Sequence, residues 1–141
     1  MEARMLKVLL LSHGRLCEGM LDTLSIFQSS VEYITAIPFY VNGVDSEMAL
    51  REYLHAIQKE DTVLIFTDIM MGSVNQNIMV ACENKTNVHV VSGYNLPVVL
   101  ELLTCDPKNL TSQWIEEKVT ACKDSIVSMD SYIPPRNDGD E

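Results

Sequence analysis

The six residues TVLIFT, 62–67, carry no polar side chain between their terminal threonines. A half-solvated strand alternates apolar with polar, whereas an unbroken apolar run belongs to a strand covered on both faces, the setting of a parallel sheet. Three further runs of strand length accompany it: MLKVLLLS at 5–12, EYITAIPFY at 32–40 and NVHVVS at 87–92. Between them the apolar residues change to helical spacing. Cys17, Met20, Leu21, Leu24 and Phe27 form one stripe, Leu50, Tyr53, Leu54 and Ile57 a second, and Val74, Ile78, Ala81 and Cys82 a third. Strand and helix alternating four times with short connections imply right-handed crossovers. The expected fold is therefore α/β, a doubly wound, mainly parallel four-stranded sheet with helices on both faces.

Helix starts are marked locally. Asp45 or Ser46 is placed to cap the second helix, and Asn95 with Pro97 forms the cap and first turn of an apolar helix, VVLELL. A last amphipathic helix is expected from Ser112 to Met129, with Ile115, Val119, Cys122 and Ile126 along its inner stripe. DSYIP at 130–134 is a candidate extra C-terminal edge strand. With 141 residues, 47% of them hydrophobic, the chain has the makings of one core, so residues 1–133 are expected to form a single domain. PPRNDGDE, 134–141, offers nothing to bury and is expected to be a flexible acidic tail.

A formal net charge of -10 opposes binding to nucleic acid or to anionic membranes. No apolar stretch is long enough to cross a bilayer, and MEARMLK enters a strand without a cleavage site, so a cytoplasmic protein without direct membrane insertion is expected. Cys17, Cys82, Cys105 and Cys122 have none of the close spacings of a zinc or redox site and are expected to be reduced and packed.

In a sheet of this kind ligands and chemistry collect beyond the carboxyl ends of the strands. Those ends supply Ser12, His13 and Gly14 after the first strand, Thr67 and Asp68 after the third, and Gly93, Tyr94 and Asn95 after the fourth. On position alone His13 is either a ring that caps the sheet or a reactive imidazole. Asp68 by itself is equally a turn aspartate. If the third strand neighbours the first, the Asp68 carboxylate can accept from one ring nitrogen of His13 and turn the other nitrogen's lone pair outward, which makes a directed nucleophile. Gly72 and Ser73 open a helix whose free N–H groups attract a tetrahedral anion, which points to phosphoryl chemistry. His55, on a helix, and His89, away from the carboxyl end of its strand, are expected to be bystanders.

With these residues in view, the chain resembles the mannose-type enzyme IIA domains of the bacterial phosphoenolpyruvate-dependent sugar phosphotransferase system. The resemblance is carried by LLLSHGRLCEGMLDTL at 9–24, VLIFTDIMMGSVNQNIM at 63–79 and VVSGYNLPVVLELL at 90–103. It implies that His13 is the phosphoryl acceptor, that Asp68 orients it, and that Gly14, Gly72 and Ser73 meet the phosphate. The family's G-x-N-[LM]-P segment falls on Gly93, Asn95, Leu96 and Pro97. It further implies a phosphotransferase that takes its phosphoryl group from HPr and gives it to an enzyme IIB domain for sugar uptake, and a homodimer, often with an exchanged C-terminal strand. No metal or organic cofactor is implied.

Relatives commonly read T-D-L-x-G-G-S-P where this chain has Met71 for the first glycine and Val74 for the proline. That departure leaves a regulatory or binding enzyme IIA-like protein, in which His13 phosphorylation is a signal, as the alternative. A Ser73–His13–Asp68 hydrolase is a third reading, without the G-x-S-x-G elbow such enzymes use.

Overall fold

The computed structural model describes residues 5–70 and 72–134. Four parallel strands, β1 (Leu6–His13), β2 (Ile34–Phe39), β3 (Thr62–Thr67) and β4 (Val88–Ser92), form one sheet in the order β2-β1-β3-β4. The helices are α1 (Leu16–Phe27), α2 (Ser46–His55), α3 (Ser73–Ala81), α4 (Leu96–Leu102) and α5 (Ser112–Cys122). The doubly wound architecture expected from the sequence is the one observed.

The period-two alternation of β1 divides the core. Val8 and Leu10 face one apolar cluster with Cys17 and Leu24 of α1, Val99 and Leu102 of α4 and Ile115 of α5. Leu9 and Leu11 face the other, with Leu50 of α2 and Val74 and Ile78 of α3. By the same alternation His13 is on the α2 and α3 side and Ser12 on the α1 side. Ser12 is fully buried yet satisfied, since its hydroxyl donates to the Gly14 carbonyl and accepts from the Cys17 N–H, both at 2.9 Å. It thus closes the first turn of α1 from the strand.

The caps follow sequence chemistry. Asp45 accepts from the Met48 N–H and Asn95 from the Val98 N–H, each at 3.1 Å. Ser46 does not cap; its hydroxyl donates to the Pro38 carbonyl and ties α2 to β2. All four cysteines are free thiols, and burial pushes those of Cys17, Cys82 and Cys105 up.

Two expectations at the C-terminal end do not hold. The last helix stops at Cys122 and tightens into a 3-10 turn at Lys123–Ser125, so Ile126 is exposed instead of continuing the stripe. Apolar spacing alone cannot register where the helix stops, and past Cys122 the changed turn leaves Ile126 beside Val98 and Cys122 without burying it. Residues 130–134 add no strand within the single chain; they run exposed after a turn in which the Ser131 N–H meets the Ser128 carbonyl at 3.2 Å. Apart from Pro134, the expected acidic tail lies outside the described residues.

At the amino end of the sheet Asp61 is buried and accepts from the Gln58 N–H at 2.8 Å and the Lys7 ammonium at 3.0 Å. Desolvation pushes its pKa up, but the Gln58 amide and Lys7 outweigh it and hold the carboxyl below the usual range. A carboxyl depressed on folding adds stability above its unfolded pKa of roughly 4 and loses it as pH falls through the folded value. Asp61→Asn is accordingly expected to cost about 1–3 kcal/mol in urea unfolding at pH 7, with the deficit closing at acid pH. A deficit that stays constant down to about pH 2.5 would contradict the ionised pairing.

Candidate active site

The polar groups at the carboxyl ends of β1 and β3 converge because those two strands are adjacent and parallel. Asp68, one residue beyond β3, accepts the backbone N–H of His13 through Oδ2 at 2.9 Å. The same carboxylate lies 3.1 and 3.2 Å from the ring Nδ1 of His13. A carboxylate oxygen only accepts, so Nδ1 carries the hydrogen of the neutral ring and Nε2, on the far edge, keeps its lone pair. The Asp68 side chain is 8% exposed and that of His13 36% exposed. The carboxylate is shielded and the imidazole is open to a reactant.

Gly14 follows with φ +62°, a left-handed turn that favours glycine, and its N–H donates to the Phe39 carbonyl at 2.7 Å. That N–H is occupied, so the contribution of Gly14 is the turn that releases the chain into α1. Gly93 makes the matching turn after β4, at φ +76°, with its N–H on the Thr67 carbonyl at 2.8 Å. Tyr94 is buried there, its hydroxyl donating to the Leu11 carbonyl at 3.3 Å, and burial pushes its phenol well up.

Gly72 leaves space beside the His13 ring. A Cβ on it would stand 3.0 Å from Cε1 of His13, closer than an unshifted ring tolerates. Its own N–H donates to the Ile69 carbonyl at 3.2 Å, which leaves the first turn of α3, beginning at Ser73, with the N–H groups that no intrahelical acceptor can take. Val74 is 1% exposed and packs in the core, so the departure from proline here is absorbed away from the imidazole. Met71 lies outside the described residues.

Residues 7–120 match the family model described as PTS system fructose IIA component, EIIA-man, PTS being the phosphotransferase system. The chain belongs to this family. Its fold is shared with phosphotransferase-system proteins of known structure. One is a protein from Klebsiella pneumoniae subsp. pneumoniae MGH 78578 described as a phosphoenolpyruvate-dependent sugar PTS permease, with 25% identity and a TM-score of 0.80 over 93% of this chain and 96% of that one. A second is the PTS IIA protein associated with the fucose utilization operon of Streptococcus pneumoniae, with 22% identity and a TM-score of 0.74 over 92% and 97%. A third is the mannose/sorbose specific IIA subunit from Enterococcus faecalis, with 22% identity and a TM-score of 0.67 over 94% and 99%. Comparison with curated proteins finds no match.

In this EIIA chain two residues at the site were not singled out from the sequence. Asn75 accepts from the Thr67 hydroxyl at 2.8 Å and donates to the Met70 carbonyl at 2.6 Å, bracing the loop between β3 and α3. Tyr40, directly after β2, stacks on the His13 ring with centroids 5.4 Å apart and planes 25° from parallel, and its hydroxyl shares a 2.6 Å hydrogen bond with that of Ser73. The signal for Tyr40 was its place at a third strand end beside β1, since Phe39 pairs with His13 in register. His55 is exposed at the end of α2, and His89 lies near the amino end of β4, where burial pulls its pKa down.

Among the described residues no helix is long and apolar enough to cross a membrane, and no cluster of three or more metal-ligating side chains occurs.

Proposed function

We propose that this EIIA chain is a cytoplasmic phosphocarrier, one domain over residues 1–133, that accepts a phosphoryl group from HPr on Nε2 of His13 and hands it to an enzyme IIB domain. The observation that carries this reading is the Nδ1–Asp68 contact, because it leaves a lone pair on the ring edge that Asp68 does not occupy. The Nε2 lone pair forms a bond to phosphorus as the P–N bond of the phosphorylated donor histidine breaks, its electron pair returning to the donor ring. The hydrogen on Nδ1 stays in place, and Asp68 offsets the positive charge that grows on the imidazole. The opening turn of α3 at Ser73 supplies N–H groups for the phosphoryl oxygens, with Gly72 giving the clearance. Transfer onward runs the same step in reverse, with the IIB nucleophile as attacking group.

Macromolecular donors and acceptors fit the surroundings of the imidazole. Leu16, Tyr40, Ile69 and Met70, all within a few residues of a site residue, are exposed, as expected of a rim that meets protein surfaces. A homodimer is supported by the exposed apolar residues Ile126, Met129, Tyr132 and Ile133 together with the outer position of β4 in the sheet, a pairing by which a C-terminal strand of one copy extends the sheet of the other.

The test is a reconstituted relay. With phosphoenolpyruvate, enzyme I and HPr, the chain is expected to gain one acid-labile phosphoryl group by intact mass, and to lose it when a mannose-type IIB domain is added. Absence of any label overturns the carrier reading. A label that no IIB domain removes replaces it with the signalling role.

A further inference from the structure

Tyr40 is built in a way that burial does not explain. Its backbone sits at φ +61°, the only described residue other than glycine in the left-handed region, where an aromatic side chain is a strained occupant. The side chain is 69% exposed, so little apolar surface is removed from water in return. What the unusual conformation does achieve is specific: the ring lies over the face of the His13 imidazole and the hydroxyl reaches Ser73 on α3.

The anchoring of the preceding residue shows how this is held. Phe39 is buried, pairs with His13 in the sheet and accepts the Gly14 N–H, while Pro38 is bound by the Ser46 hydroxyl. The chain is therefore fixed up to Phe39, and the left-handed turn at Tyr40 folds its side chain back over the rim instead of letting it continue along β2.

The imidazole then has three different neighbours. Asp68 takes the Nδ1 edge, Gly72 borders the space beside Cε1, and Tyr40 stacks on a face. Asp68 fixes which nitrogen is free, but a ring hydrogen-bonded on one edge can still tilt out of plane about that contact. A stacked aromatic resists that tilt, and its π face also favours an imidazole on which positive charge is growing. Through the Ser73 hydroxyl the same side chain joins the nucleophile to the helix start that is to receive the phosphate.

We infer that Tyr40 is a positioning residue for phosphoryl transfer at His13, a strained aromatic clamp that sets the pitch of the ring and couples it to the opening of α3. The inference rests on the carrier reading above for its kinetic consequence and on the His13 ring alone for its spectroscopic one.

The test uses the full chain with Tyr40→Gly and Tyr40→Phe. Glycine removes the ring and favours the left-handed φ, so Tyr40→Gly is expected to melt at or above the wild-type temperature while the maximal rate of uptake from phospho-HPr falls about 10-fold. Tyr40→Phe keeps the stack and loses only the hydroxyl, and is expected to fall no more than about 3-fold. The ring 15N shifts of His13, followed by NMR, are expected to show a less biased tautomer in Tyr40→Gly and a near wild-type one in Tyr40→Phe. Three results overturn the inference: an unchanged maximal rate in Tyr40→Gly, a loss confined to the half-saturating HPr concentration, which marks a docking role, or a rate loss that tracks a lowered melting temperature. If the wild-type chain takes no phosphoryl group at all, the carrier reading fails, and unaltered 15N shifts in Tyr40→Gly then overturn the clamp as well.

Discussion

His13→Ala is expected to take up no phosphoryl group above background from phospho-HPr, while His55→Ala is labelled like the wild type. The expectation follows from position, since among the three histidines His13 alone combines an exposed ring at the carboxyl edge with a carboxylate behind it. His55 is exposed on a helix with no site residue beside it in sequence, and His89 lies at the other end of its strand. The fold is expected to survive, because the lost side chain is partly exposed and the His13 backbone N–H still donates to Asp68. Intact mass spectrometry before and after brief acid treatment reads the outcome, with circular dichroism as the control for folding. Equal labelling of His13→Ala and wild type would move the acceptor elsewhere and remove the chemical meaning of the Asp68 contact.

The parts of this site that were legible in the sequence are those that topology alone brings together. An apolar strand ending in Ser-His-Gly and another ending in Thr-Asp need only be parallel neighbours for His13 and Asp68 to meet, and the unbroken TVLIFT run implied such neighbours. β3 and the start of α5 fall where residue chemistry put them. Tyr40 was hidden for a physical reason: EYITAIPFY reads as strand to its last residue, and nothing in that pattern reveals that the chain leaves the strand at Phe39 into a left-handed turn. The bracing by Asn75 was hidden because asparagine near a helix start has many local partners, and only the packed loop selects Thr67 and Met70. The C-terminal end was misjudged because periodicity records which residues are apolar and not where the core stops. Ile126 keeps the α5 spacing yet is exposed, because the helix has already ended at Cys122.

Asp68→Asn separates orientation of the ring from mere occupancy of the space behind it. In the native site two donors converge on one carboxylate, the backbone N–H of His13 at 2.9 Å and the ring Nδ1–H at 3.1 Å, both on Oδ2, with Oδ1 3.2 Å from the same ring nitrogen. The backbone donor cannot change, so the asparagine carbonyl is held at the Oδ2 position, where it still accepts from Nδ1–H, and the amide NH2 takes the Oδ1 position 3.2 Å from the same ring nitrogen. One acceptor and one donor then compete at Nδ1 where two carboxylate oxygens accepted before, which weakens the preference for the hydrogen on Nδ1 and for the free lone pair on Nε2. The substitution also removes the negative charge that offsets the growing imidazolium. Together these are expected to slow single-turnover phosphoryl uptake about 100- to 1000-fold, equivalent to about 3–4 kcal/mol in the barrier. Asp68→Ala lacks both the charge and the acceptor for Nδ1–H, so it is expected to be at least as slow as Asp68→Asn. The size of the asparagine loss is the decisive feature, because a carboxylate that served only to fill space would leave the near-isosteric asparagine close to wild type. Rapid-quench uptake rates at pH 7 for the three proteins, with the His13 15N shifts as an independent readout of the tautomer, would expose an asparagine variant within about threefold of wild type, and that result would end the role assigned to Asp68.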